Sequence, residues 1–344
     1  MTKHLISLAA ALAFAAPLSA QEGTATPPSP GEIVDQAAAH EWRAIAPEDL
    51  LVMTLAPAAD GSPREIVIQL LAAPFSQPWT TNIRTLARSG WYDGIAVIRS
   101  QDNYVVQWGD PEIGGEPKPL PDGLLETTEA GYVASLSQLP PRGIDMKRLM
   151  EACPERKRCE MDSLPDDLRA MFDKLARKQL YDDVYSSSAR FSGGWPLGYD
   201  QASSTVWPVH CYGMVGVARD MSPNAGDGSS LYTVIGHAPR HLDRNIALAG
   251  RIVEGMEHLS TLPRGKGSLG FYEDETRRTP IVSVRVASDL PAGDQPRFEY
   301  LDTDGATFAR YADARENRRD PFFIVPAGGA DVCNIPVPVR RAPK

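Results

Sequence analysis

Gly90-Trp91-Tyr92-Asp93-Gly94-Ile95-Ala96-Val97-Ile98-Arg99 is the stretch around which the chain is organised. A turn of Gly, Asp and aromatic residues feeds an apolar run that ends in a single arginine. Eight residues after Arg99 comes Gln107-Trp108-Gly109-Asp110-Pro111. Just upstream, Ala73-Pro74 leads into Pro78-Trp79-Thr80-Thr81-Asn82-Ile83-Arg84-Thr85-Leu86, whose spacing predicts a helix over 78–88. Further on lies a second block. Gly228-Ser229-Ser230-Leu231-Tyr232 runs through Pro239-Arg240-His241-Leu242-Asp243 to Gly250-Arg251-Ile252-Val253-Glu254-Gly255-Met256.

Working outward, Leu50–Ala56 and Arg64–Leu71 are β-rich runs separated by Asp60-Gly61, a hairpin signal. Gly94–Ile98 and Tyr104–Trp108 read as the next pair of strands. Gly213–Ala218, Tyr232–Gly236 and Ile246–Val253 follow, then a helix over Glu254–Leu262. Pro280–Val286 alternates cleanly and reads as a closing strand.

The order of these two blocks resembles the cyclophilin family of peptidyl-prolyl isomerases, over roughly half the chain. The resemblance implies a mainly β fold with helices: an eight-stranded antiparallel barrel capped by two helices, here spanning 48–288. It implies that Arg99 is the catalytic arginine and Gln107 the glutamine that steadies it and the substrate. Tyr104, Val105, Tyr232 and Leu242 stand at the proline pocket. Ala218 matches the alanine whose strand pairs with the peptide, and Ser230 and His241 complete the expected substrate contacts. Read without the family, Arg99 is a surface arginine at a strand end.

Departures from the family pattern cluster at polar positions. Val97-Ile98 replaces the usual Phe-His, Arg219 replaces an asparagine, Ser230 a glutamine and Ile246 a histidine, while His241 takes the place of a common tryptophan. They remove anchors for the peptide backbone more than they alter the proline pocket. The implied activity is cis-trans isomerisation of X-Pro bonds in proline-containing polypeptides; a binding module or chaperone holding a partner protein is the alternative. Neither reading calls for a cofactor or a metal.

The chain has 344 residues, 42% hydrophobic and 23% charged, enough for one large or two modest domains. Its formal net charge of −9 speaks against nucleic acid as a partner, since that requires a basic surface. Residues 1–20 read as a signal peptide: Lys3 and His4, an apolar run from Leu5 to Ala16, then Pro17-Leu18-Ser19-Ala20 before Gln21, with cleavage expected after Ala20. This implies a periplasmic or secreted protein with no membrane span after cleavage.

Residues 21–30 form a Thr/Pro/Gly/Ser linker. A helix is expected over 31–46, started by Ser29-Pro30-Gly31-Glu32 and carrying Ile33, Val34, Ala37, Ala38, Trp42 and Ile45. Within the barrel, about 112–205 reads as a partly helical insertion. Helices are expected at Met146–Ala152 and from Ser163 to Leu180, and a Ser/Gly/aromatic loop at Ser186–Ser204, with too few apolar residues for a core of its own. Residues 289–344 are an extension beyond the family pattern.

An oxidising compartment suits four cysteines, for which three pairings exist. Cys153 and Cys159 flank a short charged loop that can turn back on itself, so a Cys153–Cys159 bond is expected. That leaves Cys211 to pair with Cys333.

Other constellations carry less. His237 and His241 are four apart, but Pro239 between them argues against the helix that zinc ligation would need. A Gly-x-Ser-x-Gly elbow is absent, and Gly193-Gly194 and Gly328-Gly329 lack a phosphate-loop context.

Overall fold

The computed structural model describes residues 26–110, 116–139, 168–169 and 180–343. Strands in chain order are β1 Trp42–Ala44, β2 Leu50–Leu55, β3 Arg64–Leu70, β4 Ala96–Ser100, β5 Val105–Gly109, β6 Ala134–Ser135, β7 Ser188–Ser192 and β8 Trp195–Asp200. They continue with β9 Thr205–Pro208, β10 Met214–Val217, β11 Leu231–Val234, β12 Leu248–Glu254, β13 Thr279–Val286, β14 Phe298–Leu301 and β15 Val339–Arg341. The helices among the described residues include α1 Pro30–Asp35, α2 Gln77–Arg88, α3 Glu257–Ser260 and α4 Ala306–Glu316.

Eight strands close into an antiparallel barrel in the order β10-β11-β5-β4-β13-β2-β3-β12. Alternation explains why it closes around a dry centre. Leu51, Met53 and Leu55 of β2 and Ile66, Ile68 and Leu70 of β3 all point into one core. Leu50 and Val52 face the opposite way, beneath Phe298 of β14, so β2 is covered on both faces. Each such side chain contributes roughly 1.5–3 kcal/mol through burial.

Helix α2 closes one end of the barrel. Pro78 sits in its first turn, where a missing N–H costs nothing, and Trp79, Ile83 and Leu86 form the buried stripe. The Trp79 indole donates to the carbonyls of Ala225 and Gly226 at 3.1 and 2.8 Å, tying the helix to the loop before β11. The second plug is shorter than the expected 254–262 helix. Glu254 still belongs to β12, and Gly255 turns the chain at φ +81°, so α3 covers only Glu257–Ser260. A side chain at Gly255 would meet the Glu65 carbonyl at 2.1 Å, so glycine is required there.

The N-terminal helix is also shorter than the expected 31–46. Ser29 and Glu32 cap each other reciprocally and start α1 as expected, but it stops at Asp35. Trp42–Ala44 instead pairs with β14, in a sheet ordered β1-β14-β15. Strand pairing and burial of Trp42 outweigh a helical spacing that was only a local preference.

Ser186–Ser204 is not a loop. It contains the β7–β8 hairpin, turned by Gly193-Gly194 at φ +57° and +83°, in a sheet ordered β6-β9-β8-β7. Phe191, Trp195, Leu197, Val206 and Trp207 do not need a core of their own. They share one with Ile33 of α1, Phe308 and Tyr311 of α4, and Met214 and Leu248 of the barrel. The Cys211–Cys333 disulfide joins the start of the barrel's fifth strand in sequence to the C-terminal extension. Cys153, Cys159 and the helices expected at 146–152 and 163–180 lie outside the described residues, apart from Leu168 and Arg169, which are helical, and Leu180, which is not. Among the described residues no helix is long and apolar enough to cross a membrane.

Candidate functional site

A β-bulge creates the site. Val97 pairs with Trp108 and Arg99 with Gln107, so the register slips by one residue at Ile98. Val97 and Trp108 therefore stay in the barrel core, while Arg99 and Gln107 emerge together on the outer face. In a regular strand Arg99 would share the face of Val97.

The Arg99 guanidinium is gripped on three sides. Nε donates to the Leu269 carbonyl at 2.7 Å, Nη1 to Gln107 Oε1 at 3.1 Å, and Nη2 to Gln101 Oε1. The group lies near the Tyr104 and Phe271 rings, 5.8 and 5.4 Å from their centroids. No carboxylate pairs with it among the described residues. Burial pushes its pKa down from the usual arginine value, yet a guanidinium remains charged at neutral pH. Three of its five N–H donors are used by these bonds, leaving two for a ligand.

Gln107 is itself oriented. Its amide donates to Ser230 Oγ at 3.2 Å, and that hydroxyl donates to the Trp108 carbonyl at 3.3 Å. With the amide nitrogen so engaged, the amide oxygen is the atom turned to Arg99.

Beside the guanidinium opens a cavity of about 370 Å3. Of the expected residues, Arg99, Tyr104, Val105, Gln107, Ala218, Tyr232 and Leu242 line it. Ser230 stands behind Gln107 rather than in the cavity wall. His241 lies on the outside, its ring parallel to Tyr104 at 6.3 Å between centroids. Val105, Tyr232 and Val234 form a small apolar cluster under the cavity, with Tyr104, Ala218 and Ile246 packed against it.

Gln101, Leu269 and Phe271 belong to the site without having been expected. Gln101 follows Arg99 by two residues in the β4–β5 turn, where a polar side chain could be suspected of facing the same way. Leu269 and Phe271 come from a loop about 170 residues away in sequence, brought in by a bridge between Arg99 and Phe271, and no local pattern announces them. A second cavity, of about 560 Å3, adjoins the first and shares Gln107, Ala218, Arg219 and Asp220 with it. Arg219 forms the rim between them, its guanidinium donating to the Asn245 and Asp220 carbonyls.

The arrangement places a charged, planar donor at the edge of a cavity whose lining mixes apolar side chains such as Val105, Leu242 and Ile246 with the polar Gln107, Arg219 and Asp220. Among the described residues no group of three His, Cys, Asp or Glu side chains is placed to hold a metal.

Comparison with family models matches residues 62–286 to the "Cyclophilin type peptidyl-prolyl cis-trans isomerase/CLD" family. Among solved structures, the chain is similar to the cyclophilin AquaCyp293 from Hirschia baltica, with a TM-score of 0.57 and 22% identity, covering 88% of this chain and 95% of that one. It also matches a cyclophilin type peptidyl-prolyl cis-trans isomerase of Cryptosporidium parvum at a TM-score of 0.35 and 12% identity, covering 69% of this chain and 96% of that one. Comparison with curated proteins gives no match.

Proposed function

The chain belongs to the cyclophilin-type peptidyl-prolyl cis-trans isomerase family, and from that premise we propose that it isomerises X-Pro bonds of exported proteins and so assists their folding. The observation that carries this reading is Arg99 itself: half-buried, free of any carboxylate among the described residues, and clamped by Gln107, Gln101 and the Leu269 carbonyl at the edge of the cavity lined by Val105, Tyr232 and Leu242.

Rotation about the X-Pro amide has a barrier of about 18–20 kcal/mol, because the planar amide must lose its resonance. No nucleophile or proton relay is needed. The protein must hold the proline ring and favour the twisted amide over the planar one. Tyr104, Val105, Tyr232 and Leu242 hold the ring. The remaining guanidinium donors face a prolyl nitrogen that gains a lone pair as it twists, and Gln107 keeps them aimed. A fixed charge in a partly dehydrated site needs no reorganisation when the amide turns.

Export is supported by the apolar run at Leu5–Ala16 and by the Cys211–Cys333 bond, which suits an oxidising compartment. A second reading, a module that binds a partner protein without turnover, is favoured by Arg219 and Ile246. The Arg219 guanidinium gives three of its donors to backbone carbonyls where the family pattern has an asparagine, and the Ile246 side chain offers a peptide no hydrogen bond. NMR exchange spectroscopy on short X-Pro peptides decides between them. Exchange accelerated by the wild type and not by Arg99→Ala supports the isomerase; binding without acceleration in either supports the module.

A further inference from the structure

Tyr232 reaches through the floor of the proline cavity into a buried polar chain that the isomerase chemistry does not use. Its hydroxyl lies 2.9 Å from Nε2 of His210. The other ring nitrogen, Nδ1, lies 2.9 Å from Oδ1 of Asp243, which also accepts the His210 backbone N–H. Oδ2 of Asp243 accepts from Arg240 Nε at 2.6 Å, and the rest of that guanidinium forks onto Asp183 at 3.2 and 2.7 Å. His210 is 1% exposed and Tyr232 4% exposed, so neither bond is shared with solvent.

The protons can be placed from these partners. A carboxylate is only an acceptor, so Nδ1 of His210 carries the ring proton and Nε2 is left to accept from the Tyr232 hydroxyl. Burial pushes the His210 pKa down, against the pull of Asp243 and with the help of Arg240 and His241, so the ring is neutral at neutral pH. The backbone leaves room for the contact. A Cβ on Gly216 would lie 2.2 Å from both Cζ and the hydroxyl oxygen of Tyr232, so only glycine lets the ring cross β10 toward His210.

We propose that His210 is a positioning residue for the proline site, fixing the Tyr232 ring as the floor of the cavity through the hydroxyl bond at Nε2. The proposal rests on the reading of this cavity as the place where proline binds. An unbonded hydroxyl here would be a buried polar atom without its partner, and the ring would have to leave its place to find another. His210 thus holds the ring flat and keeps its polar end away from the substrate.

Two substitutions separate this from a merely structural role, because each keeps one end of the imidazole. His210→Gln retains a polar atom where Nε2 stood and can still meet Tyr232. His210→Asn retains one where Nδ1 stood and can still meet Asp243. Titration of an Ala-Pro-containing peptide, read by NMR shifts, should give roughly three- to tenfold weaker binding for Asn and near wild-type binding for Gln. Tyr232→Phe removes the hydroxyl and with it the drive to leave the floor, so it should bind nearly as well as the wild type, and adding His210→Asn to it should weaken binding no further. Wild-type affinity in His210→Asn, or equal losses in Asn and Gln, would overturn the proposal. Because Tyr232→Phe tests the same bond from the cavity side, the outcome does not depend on any one variant folding. The readout is affinity rather than turnover, so an inactive wild type that binds peptide would sink the isomerase reading and leave this test intact. A wild type that binds no prolyl peptide would overturn both.

Discussion

Arg99 and Arg240 are both drawn out of water, and they are held in opposite ways. Arg240 lies between two carboxylates, Asp183 and Asp243, with its side chain almost wholly buried. Burial lowers its pKa, but the bonds and charges of those two acids outweigh that and raise it overall. Among the described residues Arg99 is met by carbonyl and amide oxygens and by two aromatic rings; burial lowers its pKa against the Tyr104 phenol, with no carboxylate opposing it. The first charge is cancelled where it stands. The second is held in place and left uncancelled, which is the state of a group available to an incoming ligand.

The sharpest way to break this contrast is to remove each guanidinium. Arg240→Ala leaves the two buried carboxylates without the cation between them and should cost about 3–5 kcal/mol of stability. Chemical denaturation would show it as a lower midpoint with an unchanged slope. A stable Arg240→Ala protein would mean that Asp183 and Asp243 find water or other partners, and that the cluster is not structural.

Arg99→Ala should do the reverse. Stability should change little, since no buried acid is orphaned, while kcat/KM on X-Pro peptides falls about 10²–10³-fold, or roughly 3–4 kcal/mol. Peptide affinity should fall much less, because the planar amide uses the donor less than the twisted one. Arg99→Lys should not restore the rate, since an ammonium cannot bond Leu269, Gln107 and Gln101 in one plane. Equal rates for wild type and Arg99→Ala, with folding checked by circular dichroism, would remove Arg99 from the chemistry.

The two arginines also differ in how far the sequence reveals them. Arg99 and Gln107 lie on one hairpin, and their spacing of eight can be read locally; only the bulge at Ile98, which puts them on one face, is hidden. The barrel strands are legible for the same reason, since alternation is a property of a few neighbouring residues. The buried chain is not. His210 meets partners 22 and 33 residues away, and Arg240 meets Asp183 across 57, so each looks like an ordinary surface residue in the sequence. Trp42 misleads for a related reason: its spacing fits a helix, and only the distant β14 makes it a strand. The β7–β8 hairpin was in principle readable, because Gly193-Gly194 sits between Phe191 and Trp195 with alternating apolar residues on both sides.

The mildest test sets the pH dependence of the two regions apart. His210 has a folded pKa below its usual 6.5, so between that value and its folded pKa the unfolded chain binds a proton that the folded one refuses. Stability therefore falls as pH drops below about 6.5, by at most about 1.4 kcal/mol per pH unit from this group. Asp183 acts lower on the scale: burial opposes its ionisation, but the bonds from Arg240 and Ser186 win and lower its pKa, so its contribution is lost only as pH falls below the usual carboxylate range. His210→Gln should flatten the upper part of this profile and leave the lower part. At saturating peptide, kcat of the protein that remains folded should show neither step, because Arg99 keeps its charge throughout and the reaction transfers no proton; only peptide affinity should weaken as His210 gains a proton and Nε2 stops accepting from Tyr232. A kcat that titrates somewhere below pH 6.5 in the wild type and not in His210→Gln would join the two regions, and would mean that the buried imidazole reaches the reacting amide through Tyr232.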